Sequence, residues 1–191
     1  MERSAAGPDP GGIKSPGGTP APLPHGSRPL PGGPPTTLAS QRSDLVLFAC
    51  GDPAHAEHES VAIAAATTLP PQILERVDLK LVGPMRPEYL RDLTPGTYVV
   101  IADTLPGTPE AIVEIALLDL VGREQPFATS STHEQPLDEV LAMAQLLRDE
   151  PLVGHFVGLR TDAADLTAPP RDAAVVTLRE ALARTLAAFD D

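Results

Sequence analysis

The sequence predicts an α/β domain, a three-layer sandwich with a mostly parallel central sheet and helices on both faces. Three observations carry that prediction. In Asp44-Leu-Val-Leu-Phe-Ala-Cys50 the residues after Asp44 are a continuous apolar run, the mark of a strand buried on both sides. Tyr98-Val-Val-Ile-Ala-Asp103 is a second such run and ends in a carboxylate. Stretches with helical period separate these strands from one another and from later ones.

The first 40 residues differ from the rest, with ten prolines and eight glycines and no aromatic residue. Pro and Gly at that density disfavour both helix and a central sheet position. Residues 1–42 therefore read as a disordered or polyproline-like tail, too poor in apolar area to offset its ordering entropy. Pro29-Leu-Pro-Gly-Gly-Pro-Pro35 also fits an SH3-type ligand, although such strings arise by chance in low-complexity tails. Residues 43–191 are long enough for one core and one domain.

The elements follow in order. After the first strand, Gly51-Asp52-Pro53 is a turn, and Glu59 to Thr68 fits a helix with an acidic start at the positive end of its dipole. Pro70-Pro71 closes it. Val77 to Val82 is a second strand, ended by Gly83-Pro84. Arg86 to Leu93 is a short helix with Pro87 at an early position. Thr97 to Ala102 is the third strand, and Leu105-Pro-Gly-Thr-Pro109 an irregular loop. Ala111 to Leu118 fits a strand, with helix as the alternative because of Glu114 and its alanine neighbours. Pro136 to Leu147 is a helix, since Leu137, Val140, Leu141, Ala144 and Leu147 return on one face. Leu152 to Leu159 is a strand with Gly154 and Gly158 as weak points. Residues 172–189 form the last helix, with Val175, Leu178, Leu182, Leu186 and Phe189 as its buried stripe.

Composition narrows the function. Residues 43–191 carry 10 basic and 24 acidic side chains, a formal charge of −14. That surface repels phosphate backbones, so nucleic acid is an unsuitable partner. Cys50 is the one cysteine, which rules out an internal disulfide, and its strand context predicts a buried thiol. No secretory apolar stretch and no window near 18 apolar residues is found, so the reading is a cytosolic protein without a membrane span.

In doubly wound sheets ligands sit beyond the carboxyl ends of the strands. Asp52, Asp103 and Arg160 fall at those ends. A carboxylate directly after four apolar residues is costly unless it is paired, hydrogen bonded or metal bound. Asp103 is thus either a cap for its own loop or a ligand. His133 lies in the polar linker before a helix, and His55-Ala-Glu-His-Glu59 follows the first strand; imidazole and carboxylate together suit zinc or nickel. A lone histidine in a polar loop is more often a surface residue, which is the competing reading of His133. There is no HExxH, GxGxxG, Walker lysine or GxSxG, which removes zincin, nucleotide-binding and serine-hydrolase readings. Cys50 and His133 would form a nucleophile–base pair only if the fold joined them.

On these residues the chain resembles the nickel–iron hydrogenase maturation endopeptidases, over roughly 43–189. Leu45-Val-Leu-Phe-Ala-Cys-Gly-Asp-Pro53 matches their opening strand and turn, with Asp52 where the family has asparagine. Tyr98 to Asp103 matches the strand ending in a metal-binding aspartate, and Pro106-Gly-Thr108 the motif after it. Thr132-His-Glu-Gln-Pro-Leu-Asp-Glu-Val-Leu141 matches the metal-binding histidine and its helix, and Leu152 to Gly158 the late strand. The resemblance implies removal of a C-terminal extension from the hydrogenase large subunit precursor after nickel insertion, by enzymes grouped with the aspartic-type endopeptidases. It implies a metal set of His58, Asp103 and His133, with Glu57, Glu59 and Asp103 as the catalytic carboxylates. The nickel arrives with the precursor, and zinc or cadmium can act as surrogate; the enzyme is expected to be a monomer. His58 stands where the family has an acid, with Glu57 and Glu59 flanking it. Leu81 or Val82 replaces a second acid before Gly83. Those departures leave a non-catalytic assembly factor or chaperone for the same precursor as the alternative, and an unrelated α/β domain as a third.

Overall fold

The computed structural model describes residues 44–51, 61–107, 111–129, 135–161 and 170–190. The chain divides into two units, Met1–Ala39 and Ser40–Asp191, and every described element belongs to the second. The expected tail, 1–42, lies outside the described residues.

Strand β1 (Leu45–Cys50) is buried at all 6 positions. Its alternate side chains enter two different cores, because successive residues of a strand face opposite sides. Leu45, Leu47 and Ala49 meet helices α1 (Val61–Thr67) and α6 (Pro170–Ala187), together with Val100, Ala102, Val157 and Leu159. Val46, Phe48 and Cys50 meet α3 (Pro87–Arg91), α4 (Leu117–Leu120) and α5 (Leu137–Leu146), together with Val99, Ile101, Leu105 and Phe156. This is the expected three-layer sandwich.

The sheet has five strands in the order β2-β1-β3-β5-β4. Strands β2 (Asp78–Val82), β1, β3 (Tyr98–Pro106) and β5 (Val153–Thr161) run parallel, and β4 (Ile112–Ala116) is antiparallel to β5. Ala111 to Leu118 thus resolves into a strand followed by the short α4. The paired prolines do two jobs: Pro70 follows α1, and Pro71 opens α2 (Pro71–Leu74) at a position where a missing N–H costs nothing.

Helix α6 buries Leu178, Leu182 and Leu186 as expected, and adds Ala181. Phe189, in a 3₁₀ turn after α6, is 40% exposed instead of completing the stripe. It stacks at a tilt on Tyr98, 4.9 Å between ring centres. The Tyr98 hydroxyl shares a hydrogen bond with His155 Nδ1. On the other layer, the Arg148 guanidinium stops α3 by donating from Nη1 to the Leu90 and Leu93 carbonyls at 2.7 and 3.0 Å.

The glycines of β5 turn out to be requirements. A Cβ on Gly154 would lie 1.8 Å from the Val99 carbonyl oxygen, and its φ of +148° excludes most side chains. Gly154→Ala must push two central strands apart. It should cost more than the roughly 1–3 kcal/mol of ordinary overpacking, read as a lowered Tm. Burial, and secondarily the charge of Glu114, raises the Tyr98 pKa above its ordinary value of 10.0. The folded state therefore holds that proton more tightly than the unfolded chain, and stability falls as pH rises above about 10. Tyr98→Phe should flatten that alkaline fall, measured by denaturant midpoints across pH.

Candidate active site at the carboxyl end of the sheet

Because β2, β1, β3 and β5 are parallel, their carboxyl ends share one edge. From β1 the chain moves outward to β2, then returns to the other side of β1 for β3. The reversal puts the topological switch point between β1 and β3, where such sheets open a crevice. Strand β3 outruns β1 there. Its last pair with β1 is Ala49↔Ala102, whereas its pairs with β5 continue to Pro106↔Thr161.

Asp103 occupies this position. It is the first residue of β3 past the β1 ladder, and the strand runs on beyond it instead of ending there as the sequence suggested. It is 2% exposed and points to the α5 side, the side that Ile101 and Leu105 share. The Thr104 N–H donates to Asp103 Oδ1 at 2.7 Å, so a buried backbone donor is answered by the neighbouring carboxylate. A carboxylate has about four acceptor positions, so a cap on its own loop does not by itself exclude a ligand role for Asp103.

Cys50 follows Ala49, the last β1 residue paired with β3, and faces the α5 side. Its thiol is 1% exposed, as a structural strand cysteine should be. On the other side Asp103 pairs with Gly158. A Cβ there would meet the Phe156 ring at 2.4 Å and Leu105 Cδ1 at 2.7 Å. Asp103 lies on the same sheet face as the apolar wall of Cys50, Leu105 and Phe156.

The start of α5 is tied to the same wall. Leu137 N–H donates to the Phe127 carbonyl at 2.9 Å, and Phe127 N–H donates to Asp138 Oδ1 at 2.7 Å. Phe127 meets Phe156 edge-on, 5.2 Å between centres at 83°. Asp138 (7% exposed) and Phe127 were not singled out from the sequence. The signal was an acid in the first turn of a helix, immediately beside core-facing Leu137.

Arg160 lies within β5, paired with Leu105, and its side chain covers the backbone at Gly107 just after β3. Asp52, His55, Glu57, His58, Glu59 and His133 lie outside the described residues. Among the described residues no three His, Cys, Asp or Glu side chains gather as a metal site. Of the expected ligand set, Asp103 alone is placed: an oxygen donor at the switch point, on the side of the helix that His133 precedes in sequence.

No protein-family model matches the chain, and no curated protein matches it. Two solved structures do match. One is a [NiFe] hydrogenase maturation protease, HycI from Thermococcus kodakarensis KOD1, with a TM-score of 0.51 and 16% identity over 78% of this chain and 95% of that one. The other is the hydrogenase maturating endopeptidase HybD from E. coli, with a TM-score of 0.53 and 14% identity over 76% and 93%. The chain shares their fold. Among the described residues no helix is long and apolar enough to cross a membrane.

Asp103→Ala removes the buried hydrogen bond that Asp103 Oδ1 accepts from the Thr104 N–H and should cost about 1–3 kcal/mol in urea unfolding. Asp103→Asn keeps an acceptor oxygen and should recover most of that loss.

Proposed function

We propose that this chain is a divergent hydrogenase maturation endopeptidase. It removes the C-terminal extension of a nickel–iron hydrogenase large subunit precursor once nickel is in place. One observation carries the reading: a buried aspartate at the switch point of a sheet whose fold is that of two proteins named for this activity. The motif pattern supports it, since Asp103 and His133 fall where the resemblance requires an aspartate and a histidine.

Nickel belongs to the substrate in this proposal. Asp103, His133 and His58, or a carboxylate flanking His58, hold the metal centre of the precursor. A histidine in place of an acid makes the set one charge more positive and softer, which still suits nickel. A metal so held polarises the scissile carbonyl and acidifies a water. Glu57 or Glu59 takes the proton from that water. No side-chain nucleophile is needed, in keeping with a Cys50 thiol that is almost wholly covered. A precursor without nickel lacks the central anchor, so cleavage reports completed insertion.

Incubation with nickel-loaded precursor should release the extension as a separate mass, and metal-free precursor should stay intact. His133→Ala and Asp103→Asn should each lower the rate by about 10²-fold or more, since each removes a group that aligns the reacting centre. Binding of loaded precursor without any cleavage by the unaltered chain would replace the protease reading with that of a non-catalytic assembly factor.

A further inference from the structure

Arg160 stands at the same edge of the sheet as Asp103. Successive residues of β5 face opposite layers, and Phe156 packs on the α5 side, so Gly158 and Arg160 share that side. The register pairs Gly158 with Asp103 and Arg160 with Leu105. The arginine side chain leans further along the edge. Its Nη1 lies 3.1 Å from where a Cβ on Gly107 would be, with Cδ at 3.6 Å and Cγ at 3.9 Å. Gly107, at a φ of +148°, leaves the room in which this side chain rests. Four residues of nearly straight strand separate Asp103 from Gly107, a distance of about 13 Å.

A guanidinium keeps its charge and offers five donors. Arg91 spends its donors on Asp92, and Arg148 spends Nη1 on the carbonyls at the end of α3. Arg160 is exposed, and among the described residues no carboxylate or carbonyl accepts from its guanidinium. An open cation on the Asp103 side of the sheet, in a domain of formal charge −14, answers no neighbour within the described fold.

We propose that Arg160 determines specificity in the cleavage reaction: its guanidinium binds a carboxylate of the C-terminal extension. This inference rests on the protease reading above. An extended peptide lying along the sheet edge, with its scissile bond at Asp103, presents a group to Arg160 about four residues further on. Any C-terminal extension ends in a carboxylate, and acidic side chains within it offer the same chemistry. Guanidinium and carboxylate form charge-assisted, often bidentate hydrogen bonds. The reverse orientation brings that carboxylate towards Asp103, like charge against like, so the pair also sets the direction in which the extension lies. Arg160 touches no reacting atom in this arrangement.

The test is steady-state cleavage by the full chain and by its Arg160→Gln and Arg160→Lys variants. Each is given nickel-loaded precursor in three forms: unaltered, amidated at the C-terminus, and with every Asp and Glu of the extension changed to Asn and Gln. Loss of the charge-assisted pair should raise KM roughly tenfold in Arg160→Gln. There kcat should stay within about threefold, because the contact is made equally in the ground and transition states. Arg160→Lys keeps the charge without the planar fork and should recover part of the loss. With the unaltered chain, one of the two altered precursors should show the same rise in KM, which identifies the carboxylate as terminal or side-chain. That precursor should show no further rise with Arg160→Gln. Overturning results are an unchanged KM in Arg160→Gln, a loss confined to kcat, an Arg160→Lys as impaired as Arg160→Gln, or losses that multiply when both partners are altered. A rise in KM that disappears on cooling well below a lowered Tm is an effect of stability and overturns the inference too. If the unaltered chain does not cleave at all, the protease reading fails and takes this inference with it; in every other outcome cleavage persists, so the two failures are distinct.

Discussion

Strand β3 is the constraint on which the rest of the structure depends. It is paired on both edges, with β1 and β5, and from Val99 to Leu105 every side chain is buried. A strand in that position needs an apolar layer on each face, which α1 and α6 supply on one side and α3, α4 and α5 on the other. Polar chemistry is then confined to the strand ends, because an unpaired polar group in either layer costs several kcal/mol, about 2–7 by transfer measurements. Asp103 stands at the one place where the strand has outrun a neighbour. There its charge can be answered by the Thr104 amide.

The two layers are used differently. The α1–α6 side is built from small and aliphatic residues, with alanines at 62, 65, 66 and 181 letting helices approach closely. The α5 side holds Phe48, Phe127 and Phe156, and it is the side to which Asp103 points. Gly158 belongs to the same design: its missing side chain is the space that brings Phe156 over the site. A fold shared with proteins at 16% and 14% identity is then unsurprising. It is specified by where apolar residues recur and where the chain reverses, and many sequences satisfy both.

Much of this was legible in the chain. The runs at 45–50 and 98–102 read as doubly buried strands because nothing polar interrupts them. Helix α5 read correctly from Leu137, Val140, Leu141 and Ala144, all buried at the predicted period, but Leu147, expected on the same face, follows the last helical residue and is exposed. The reading failed where local pattern and tertiary need diverge. Gly154 and Gly158 looked like defects in β5, but one admits the Val99 carbonyl and the other the Phe156 ring. Asp103 looked like a strand terminus because polarity usually marks an end. Asp138 was not singled out at all, since its partner, the Phe127 amide, is eleven residues away.

The sequence by itself determined the layers, the parallel order of alternating elements and the candidate polar residues, because periodicity and solvent exposure are local consequences of composition. Only the tertiary structure decided that Asp103 lies at the switch point beside Gly158, and that the start of α5 is tied through Phe127 to Phe156. Register between distant strands depends on how whole faces pack, and no local signal encodes which residue will lie across from which.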